Sequence, residues 1–224
     1  MGDVRRLIVF DLDGTLIDSR ADLAAAANAL IHERGGQRLA EEDIGRMVGE
    51  GAAVLVERAL AAAGVPLDDA SVPRFLELYD ECLLATTRAY PGILEALDAL
   101  TDVGQMTVLT NKPLAPTRRL LDELDLARYV AAAIGGDGTF PRKPDPRALI
   151  HLTERFGVER KNTVMVGDSW IDCQTARNAG TRLCLARYGF GLPSRPHPEL
   201  TSEDGDVDAP GELPKAIRRL FDIS

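Results

Sequence analysis

Two aspartates, Asp11 and Asp13, directly follow an apolar run at residues 7–10 and stand two positions apart. In an extended segment, residues two apart point to the same side, so both carboxylates can face one ligand. Gly14 then allows a backbone turn and can offer its amide to that ligand. One carboxylate can act as a nucleophile while the other transfers a proton. The pattern therefore predicts acid–base and covalent chemistry at residues 11–15.

The same acidic run has two other interpretations, a turn that caps a helix and a calcium loop of the EF-hand type. An EF-hand loop counted from Asp11 needs a glycine at its sixth position and a glutamate at its twelfth. The chain has Leu16 and Asp22 at these positions. The sequence therefore argues against the calcium loop.

Three further polar runs follow or close predicted strands. They are residues 110–112 (Thr-Asn-Lys), 142–146 (Arg-Lys-Pro-Asp-Pro) and 167–172 (Gly-Asp-Ser-Trp-Ile-Asp). Open α/β sheets bind ligands at the carboxyl ends of their strands, so we expect these runs to meet the aspartates there. Taken singly, each run could instead cap a helix or lie in a solvated loop.

Short β-rich runs predict five strands. They are residues 7–10, 106–110, 131–135, 163–166 and 182–186. Longer helical stretches separate them, and this alternation predicts an α/β fold with a Rossmann-like parallel sheet. The segment 188–211 is rich in Gly, Pro and acidic residues, which predicts a surface connection before a last helix at 213–221.

A stretch with almost no strand signal, residues 16–88, separates the first two predicted strands. It is far longer than an ordinary crossover connection. Apolar spacing predicts four helices in it, at 21–31 with Asp18 or Ser19 as its cap, and at 41–48, 52–63 and 73–89. We therefore expect an inserted α-helical cap domain at 16–88 and a catalytic core formed by 1–15 and 89–224.

Composition excludes several functional classes. The 224 residues are 45% hydrophobic and 27% charged, as in an ordinary globular protein. A net charge of −9 argues against nonspecific attraction to nucleic acid or to anionic lipid. No run is long enough to cross a membrane, and the acidic residues at 11 and 13 interrupt the first apolar run before it could serve as a signal peptide. We expect a cytoplasmic protein.

The four polar runs, in this order, resemble the motifs of the haloacid dehalogenase superfamily over nearly the whole chain, including a helical cap between the first and second motifs. This resemblance implies that Asp11 is a nucleophile and Asp13 a general acid and base. It also implies a phosphate-binding hydroxyl on Thr110, a neutralising ammonium on Lys143, substrate contacts at Gly14 and Asn111, and Mg²⁺ held by Asp11, the carbonyl of Asp13 and Asp168, with support from Asp172.

This chemistry has an independent physical basis. A phosphomonoester dianion repels an attacking carboxylate, so both a divalent cation and a fixed ammonium are needed nearby. Magnesium prefers hard oxygen ligands, which aspartates supply. The residue types in the four runs meet both needs.

The composition of the inserted segment restricts the choice of substrate class. It contains seven arginines and no lysine, which argues against the imine-forming phosphonoacetaldehyde hydrolases and the sugar phosphomutases of the superfamily, both of which use a cap lysine. Asp13 argues against dehalogenation. The runs 48–52, 55–60 and 188–191 resemble the phosphoglycolate phosphatase subgroup, and Gly51 and Arg46 are then candidate contacts for a substrate carboxylate.

We therefore expect hydrolysis of 2-phosphoglycolate or a similarly small phosphorylated metabolite by a monomer or homodimer. Sugar phosphates, nucleotides and pyrophosphate are alternative substrates, because the core motifs treat the phosphoryl group alike. A noncatalytic module that binds a phosphorylated ligand is the alternative from another functional class.

Overall fold

The computed structural model describes residues 5–191 and 200–223, and a parallel sheet lies at its centre. Its strands are β1 (Leu7–Phe10), β2 (Ile17–Asp18), β3 (Arg88–Ala89), β4 (Gln105–Leu109), β5 (Val130–Ile134), β6 (Thr163–Gly167), β7 (Arg182–Ala186) and β8 (Gly205–Val207). Six of them form one sheet in the order β5-β4-β1-β6-β7-β8, and all its pairs are parallel. The expected Rossmann-like α/β architecture is confirmed.

Strand β1 occupies the middle of this sheet, where all four of its residues are buried. Phe10 pairs with Val108 of β4 on one side and with Val166 of β6 on the other. A strand covered on both faces needs a continuous apolar run rather than alternation, as residues 7–10 provide. The residue after Phe10 therefore emerges between the ends of two neighbouring strands.

Five helices cover the two faces of the sheet. They are α5 (Ile93–Asp98), α6 (Leu114–Glu123), α7 (Arg147–Phe156), α8 (Trp170–Ala179) and α9 (Leu213–Leu220), with labels α1 to α4 kept for the helices of the insertion. Successive residues of β1 face opposite layers: Leu7 packs with the α7 and α8 layer, whereas Ile8 packs with the α5 and α9 layer. Among the described residues, no helix is both long and apolar enough to cross a membrane.

The stretch between β1 and β4 is helical, and a small antiparallel pair of strands, β2 with β3, marks its start and end. Its helices are α1 (Arg20–Glu33), α2 (Glu41–Gly45), α3 (Ala52–Ala62) and α4 (Ser71–Cys82). The helix predicted at 73–89 was drawn too long, because residues 88–89 pair with 17–18 in this hairpin-like sheet. The helix predicted at 41–48 also ends earlier, at Gly45.

The surface connection predicted over 188–211 was wrong in part, because it contains strand β8. Residues 192–199 of that segment lie outside the described residues, but 205–207 pair in parallel with β7. Asp206 is exposed between buried Gly205 and Val207. A three-residue edge strand is too short for its alternation to stand out from the surrounding loop composition.

Asp22, in the first turn of α1, ties the two ends of the helical segment together. Its carboxylate is 1% exposed and accepts hydrogen bonds from the backbone amides and hydroxyls of Thr86 and Thr87, at 2.5 to 3.1 Å. Burial favours a raised pKa for Asp22, but the hydrogen bonds from both threonines outweigh it and hold the pKa below its ordinary value. The charged form of this carboxyl therefore stabilises the fold.

We expect Asp22→Asn to lower the free energy of unfolding at neutral pH by about 2 to 4 kcal/mol, because buried donors lose a charged acceptor. An acid with a lowered pKa in the folded state stabilises above its unfolded pKa and loses that contribution as the pH falls through its folded pKa. The difference from wild type should therefore shrink below about pH 4. Urea unfolding at neutral pH and again below about pH 4 measures this difference, with Asp69→Asn at an exposed position as the control. An equal difference at both pH values would contradict the assignment.

Candidate active site

Asp11 emerges at the carboxyl end of β1, between β4 and β6, and its side chain is nearly buried. The Lys143 ammonium lies 2.8 Å from an oxygen of Asp11 and 2.6 Å from an oxygen of Asp172. Burial raises the pKa of Asp11 to about 7, against the attraction of Lys143, and the charge of Asp172 adds to the rise. One ammonium thus serves two buried carboxylates.

Asp168 brings a third carboxylate to the same place, directly after β6. It is 2% exposed and accepts a hydrogen bond from the Gly191 amide at 2.7 Å. Burial raises the pKa of Asp168 well above its ordinary value, and the charges of Asp172 and Asp11 raise it further. Ligand oxygens of these three aspartates lie within 4.8 Å of one another. Three buried carboxylates with one ammonium leave an excess of negative charge, and an oxygen-liganded divalent cation fits there.

Gly14 makes room for this cluster. Its φ of +84° lies in the left-handed region, and a Cβ at this position would lie 2.0 Å from an Asp168 carboxylate oxygen. Both facts require glycine, because a side chain would strain the backbone and collide with the carboxylate. The glycine thus allows the turn after β1 to lie against Asp168, the first residue after β6.

Asp172 is held by the start of helix α8. Ser169 is the N-cap residue, and its hydroxyl and amide both donate to the Asp172 carboxylate while the Asp172 amide donates back, which completes a capping box. The second carboxylate oxygen of Asp172 is thereby directed at Lys143. The structure therefore places Asp172 as a partner of the ammonium as well as a neighbour of Asp168.

Asp13 lies beside Asp11 but has a separate set of partners. Its two carboxylate oxygens accept hydrogen bonds from the Lys112 ammonium at 3.0 and 2.9 Å, and Ser19 donates its hydroxyl to one of them. Ser19 stands at the N-cap position of α1, as expected, but its side chain makes no capping bond. The hydroxyl that was expected to cap the helix orients Asp13 instead.

Thr110 and Asn111 follow β4 and lie in the same site. Thr110 is 3% exposed and its hydroxyl accepts a hydrogen bond from the Lys112 amide at 3.2 Å. The Asn111 amide group donates to the carbonyls of Gly49 and Lys143 and accepts from the Lys143 amide. Asn111 therefore links the loop that carries Lys143 to a loop of the helical segment.

A cavity opens above these residues, between the sheet and the helices of the insertion. Its polar lining includes Asp11, Asp13, Thr110, Asn111, Lys112 and Asp168. Its wall on the helical side is mostly apolar and includes Leu23, Val48, Leu55, Phe75, Leu76 and Tyr79. The helical segment therefore shapes the space next to the carboxylates of Asp11, Asp13 and Asp168.

The two substrate contacts expected from the helical segment lie in different places. Gly51 lines the cavity and has a φ of +95°. Arg46 lines a separate pocket with Glu50 and Arg58, and its guanidinium forms an ion pair with Asp43 at 2.6 Å. The structure does not bring Arg46 to the cavity that contains the aspartates.

Three further residues lie at this site that the sequence analysis did not assign to it: Lys112, Tyr79 and Ser19, which was expected only to cap a helix. Lys112 belongs to the polar run 110–112, so its place near the site could be predicted from the sequence. Its contact with Asp13 could not be predicted. Tyr79 lies 31 or more positions from any of the four motifs and carries no signal of its own. Its ring is 4.6 Å from the Lys112 ammonium, measured at the centroid.

Known proteins share both the sequence and the fold. The family model of the haloacid dehalogenase-like hydrolases matches residues 5–180. A phosphoglycolate phosphatase of Rhodospirillum rubrum is 42% identical over 194 residues, which cover 83% of this chain and 80% of the relative. Phosphoglycolate phosphatase 1 of Pseudomonas aeruginosa is 39% identical over 192 residues, which cover 83% of this chain and 70% of the relative.

A solved structure gives the same result for the fold. A predicted phosphoglycolate phosphatase of Haemophilus somnus superposes with a TM-score of 0.84 at 28% sequence identity, covering 96% of this chain and 99% of the other. The sheet order, the cluster of aspartates around one lysine, and a family match over most of the chain agree. The chain belongs to the haloacid dehalogenase-like hydrolases.

Proposed function

We propose that this protein is a phosphomonoester hydrolase that acts on 2-phosphoglycolate through a phosphoryl-aspartate on Asp11. One observation carries the chemistry: the Asp11 carboxylate stands at the end of the central strand, 2.8 Å from a buried ammonium and at the floor of a cavity. A carboxylate so placed can attack a phosphorus atom, while Lys143 offsets the negative charge that gathers there.

In the first step, an Asp11 oxygen forms a bond to phosphorus as the bond from phosphorus to the ester oxygen breaks. The leaving alkoxide takes a proton from Asp13, which stands two residues away and also lines the cavity. Lys112 and Ser19 both donate to the Asp13 carboxylate, so its orientation is defined before substrate arrives. Thr110 and the turn at Gly14 supply polar contacts for the phosphoryl oxygens.

In the second step, Asp13 removes a proton from a water molecule, whose oxygen attacks phosphorus. The bond between phosphorus and Asp11 breaks, and inorganic phosphate leaves with the carboxylate restored. The same residue thus acts as acid and then as base, as reversal of the leaving-group step requires. The apolar helical wall limits the entry of competing water.

Asp11, Asp168 and the backbone carbonyl of Asp13 would hold Mg²⁺, with Asp172 as a neighbouring support. The fit rests on three buried carboxylates whose ligand oxygens lie within 4.8 Å of one another, while the one ammonium beside them pairs with only two, Asp11 and Asp172. When bound, the cation would neutralise charge on the phosphoryl oxygens. The residues themselves only need to keep their oxygens converged, which the capping box at Ser169 and the amide of Gly191 favour.

The substrate assignment draws on the relatives and on the helices that cover one side of the cavity. The similar proteins of Rhodospirillum rubrum and Pseudomonas aeruginosa are phosphoglycolate phosphatases. The helices of the insertion close one side of the cavity, and we propose that residues 16–88 act as a cap over a core of 1–15 and 89–224. A cap that covers the reactive carboxylates favours a small leaving group.

A phosphate-release screen tests this function. With Mg²⁺ present, we expect the highest kcat/KM for 2-phosphoglycolate and lower values for glucose phosphates, nucleotides and pyrophosphate. Chelation of the metal should remove activity, and added Mg²⁺ should restore it. A large preference for another phosphate ester would overturn the substrate assignment and leave the chemistry intact, whereas no turnover of any ester would overturn both.

A further inference from the structure

Lys112 brings a buried ammonium to the wall of the cavity. A lysine ammonium offers three N–H groups, and two of those of Lys112 are directed at the two carboxylate oxygens of Asp13. The ammonium also lies 4.6 Å from the centroid of the Tyr79 ring, and the side chain is 4% exposed, so solvent offers it few hydrogen bonds. Of the described residues that line the cavity, Lys112 is the one with a cationic side chain.

Tyr79 supplies a second donor at the same place. Tyr79 is 3% exposed and lines the cavity, and its ring lies under the Lys112 ammonium. Its hydroxyl makes no hydrogen bond with the described residues. A buried hydroxyl without a partner costs free energy, which a ligand acceptor would recover. The pair Lys112 and Tyr79 is therefore suited to an anionic oxygen group.

The position of the pair relates it to the leaving group. Asp13 must reach the ester oxygen to protonate it, and the Lys112 ammonium lies 2.9 Å from an Asp13 oxygen. An anionic group that contacts Lys112 must then be attached close to the ester oxygen. In 2-phosphoglycolate, one methylene separates the carboxylate from that oxygen, which matches this short span.

We propose that Lys112 and Tyr79 bind the carboxylate of the leaving group and so select phosphate esters that carry a carboxylate on the carbon next to the ester oxygen. This inference rests on the proposed function and deepens it. It assigns substrate selection to a core lysine with one helical-segment tyrosine, rather than to the arginines of the insertion. Arg46, the arginine expected to contact substrate, lies outside this cavity.

Two substrates of nearly equal size isolate the effect: 2-phosphoglycolate and ethyl phosphate, in which a methyl group replaces the carboxylate. We expect Lys112→Met to lower kcat/KM for 2-phosphoglycolate about 30- to 100-fold more than for ethyl phosphate, with much of the selective loss in KM. Tyr79→Phe should give about a 10-fold selective loss, because it removes one hydrogen bond to a charged group. Lys161→Met, at a lysine whose side chain is 71% exposed, is the matched control.

The two substrates also separate selection from support of Asp13. If Lys112 only orients Asp13, kcat falls equally for both esters, and the inference is overturned. If wild type prefers 2-phosphoglycolate and Lys112→Met keeps that preference, the proposed function stands and the inference alone fails. If wild type shows no preference between the esters, the substrate assignment fails and the inference falls with it. If Lys112→Met does not fold, the comparison of the two esters with Tyr79→Phe decides: a selective loss supports the inference, and an equal loss or no loss overturns it.

Discussion

We expect Asp11→Asn to abolish turnover and to lower kcat by at least about four orders of magnitude. The amide has the shape of the carboxylate but is a far weaker nucleophile, so the first step cannot proceed. A phosphate-release assay measures the loss, and mass spectrometry after acid quenching detects a phosphoryl group on the peptide with Asp11 in wild type alone. Asp122→Asn, at an exposed position of α6, is the control.

The stability of this variant distinguishes lost chemistry from lost folding. The pKa of Asp11 is raised to about 7 because burial outweighs the attraction of Lys143. An acid with a raised pKa in the folded state opposes folding as the pH rises above its unfolded pKa, so the neutral amide should not destabilise the metal-free protein at pH values near neutrality. We expect a Tm at least equal to that of metal-free wild type. A lower Tm together with lost turnover would leave Asp11 as a structural residue.

We expect Lys143→Met to have the second largest effect, because it should lower both the stability of the protein and kcat. Removal of the ammonium leaves Asp11 and Asp172 without their shared cation, and breaking a buried pair in this way costs about 3 to 5 kcal/mol. Loss of a fixed charge beside the phosphoryl group should lower kcat about 10²- to 10³-fold. Urea unfolding of the metal-free protein and phosphate release with Mg²⁺ measure the two losses separately.

A second substitution separates these two losses. Lys143→Met combined with Asp172→Asn removes one of the two carboxylates that Lys143→Met alone leaves unpaired, so we expect stability to recover in part while kcat stays low. The non-additive part of the stability change gives the coupling between the two residues. Additive stability changes would contradict an ion pair between them, and a recovery of kcat would contradict a role for Lys143 beside the phosphoryl group.

The local sequence determined the fold class and most of the strands. The apolar run of β1 is continuous because the strand is covered on both faces, and such a run is visible without any tertiary information. Parallel strands place their carboxyl ends at one edge, so the order of polar runs after strands was enough to expect a joint site. The structure brings Asp11, Lys143 and Asp168 to this edge.

The shortest elements could not be predicted. Strands β2, β3 and β8 have two or three residues each, and a pattern with a period of two is undefined over such a length. Strand β3 was absorbed into the preceding helix because no proline or glycine marks the end of α4 at Cys82. Only pairing with a distant segment decides that these residues are extended.

The sequence by itself determined which residue types could react, and the tertiary structure decided which partners each one has. Lys112 and Asp13 are 99 positions apart, and their ion pair depends on how β4 lies beside β1. Ser19 satisfied the local rule for a helix cap, but its hydroxyl makes no capping bond and donates to the Asp13 carboxylate. Local patterns specify short-range geometry, whereas the choice among competing charged and polar partners is made by distances that exist only after folding.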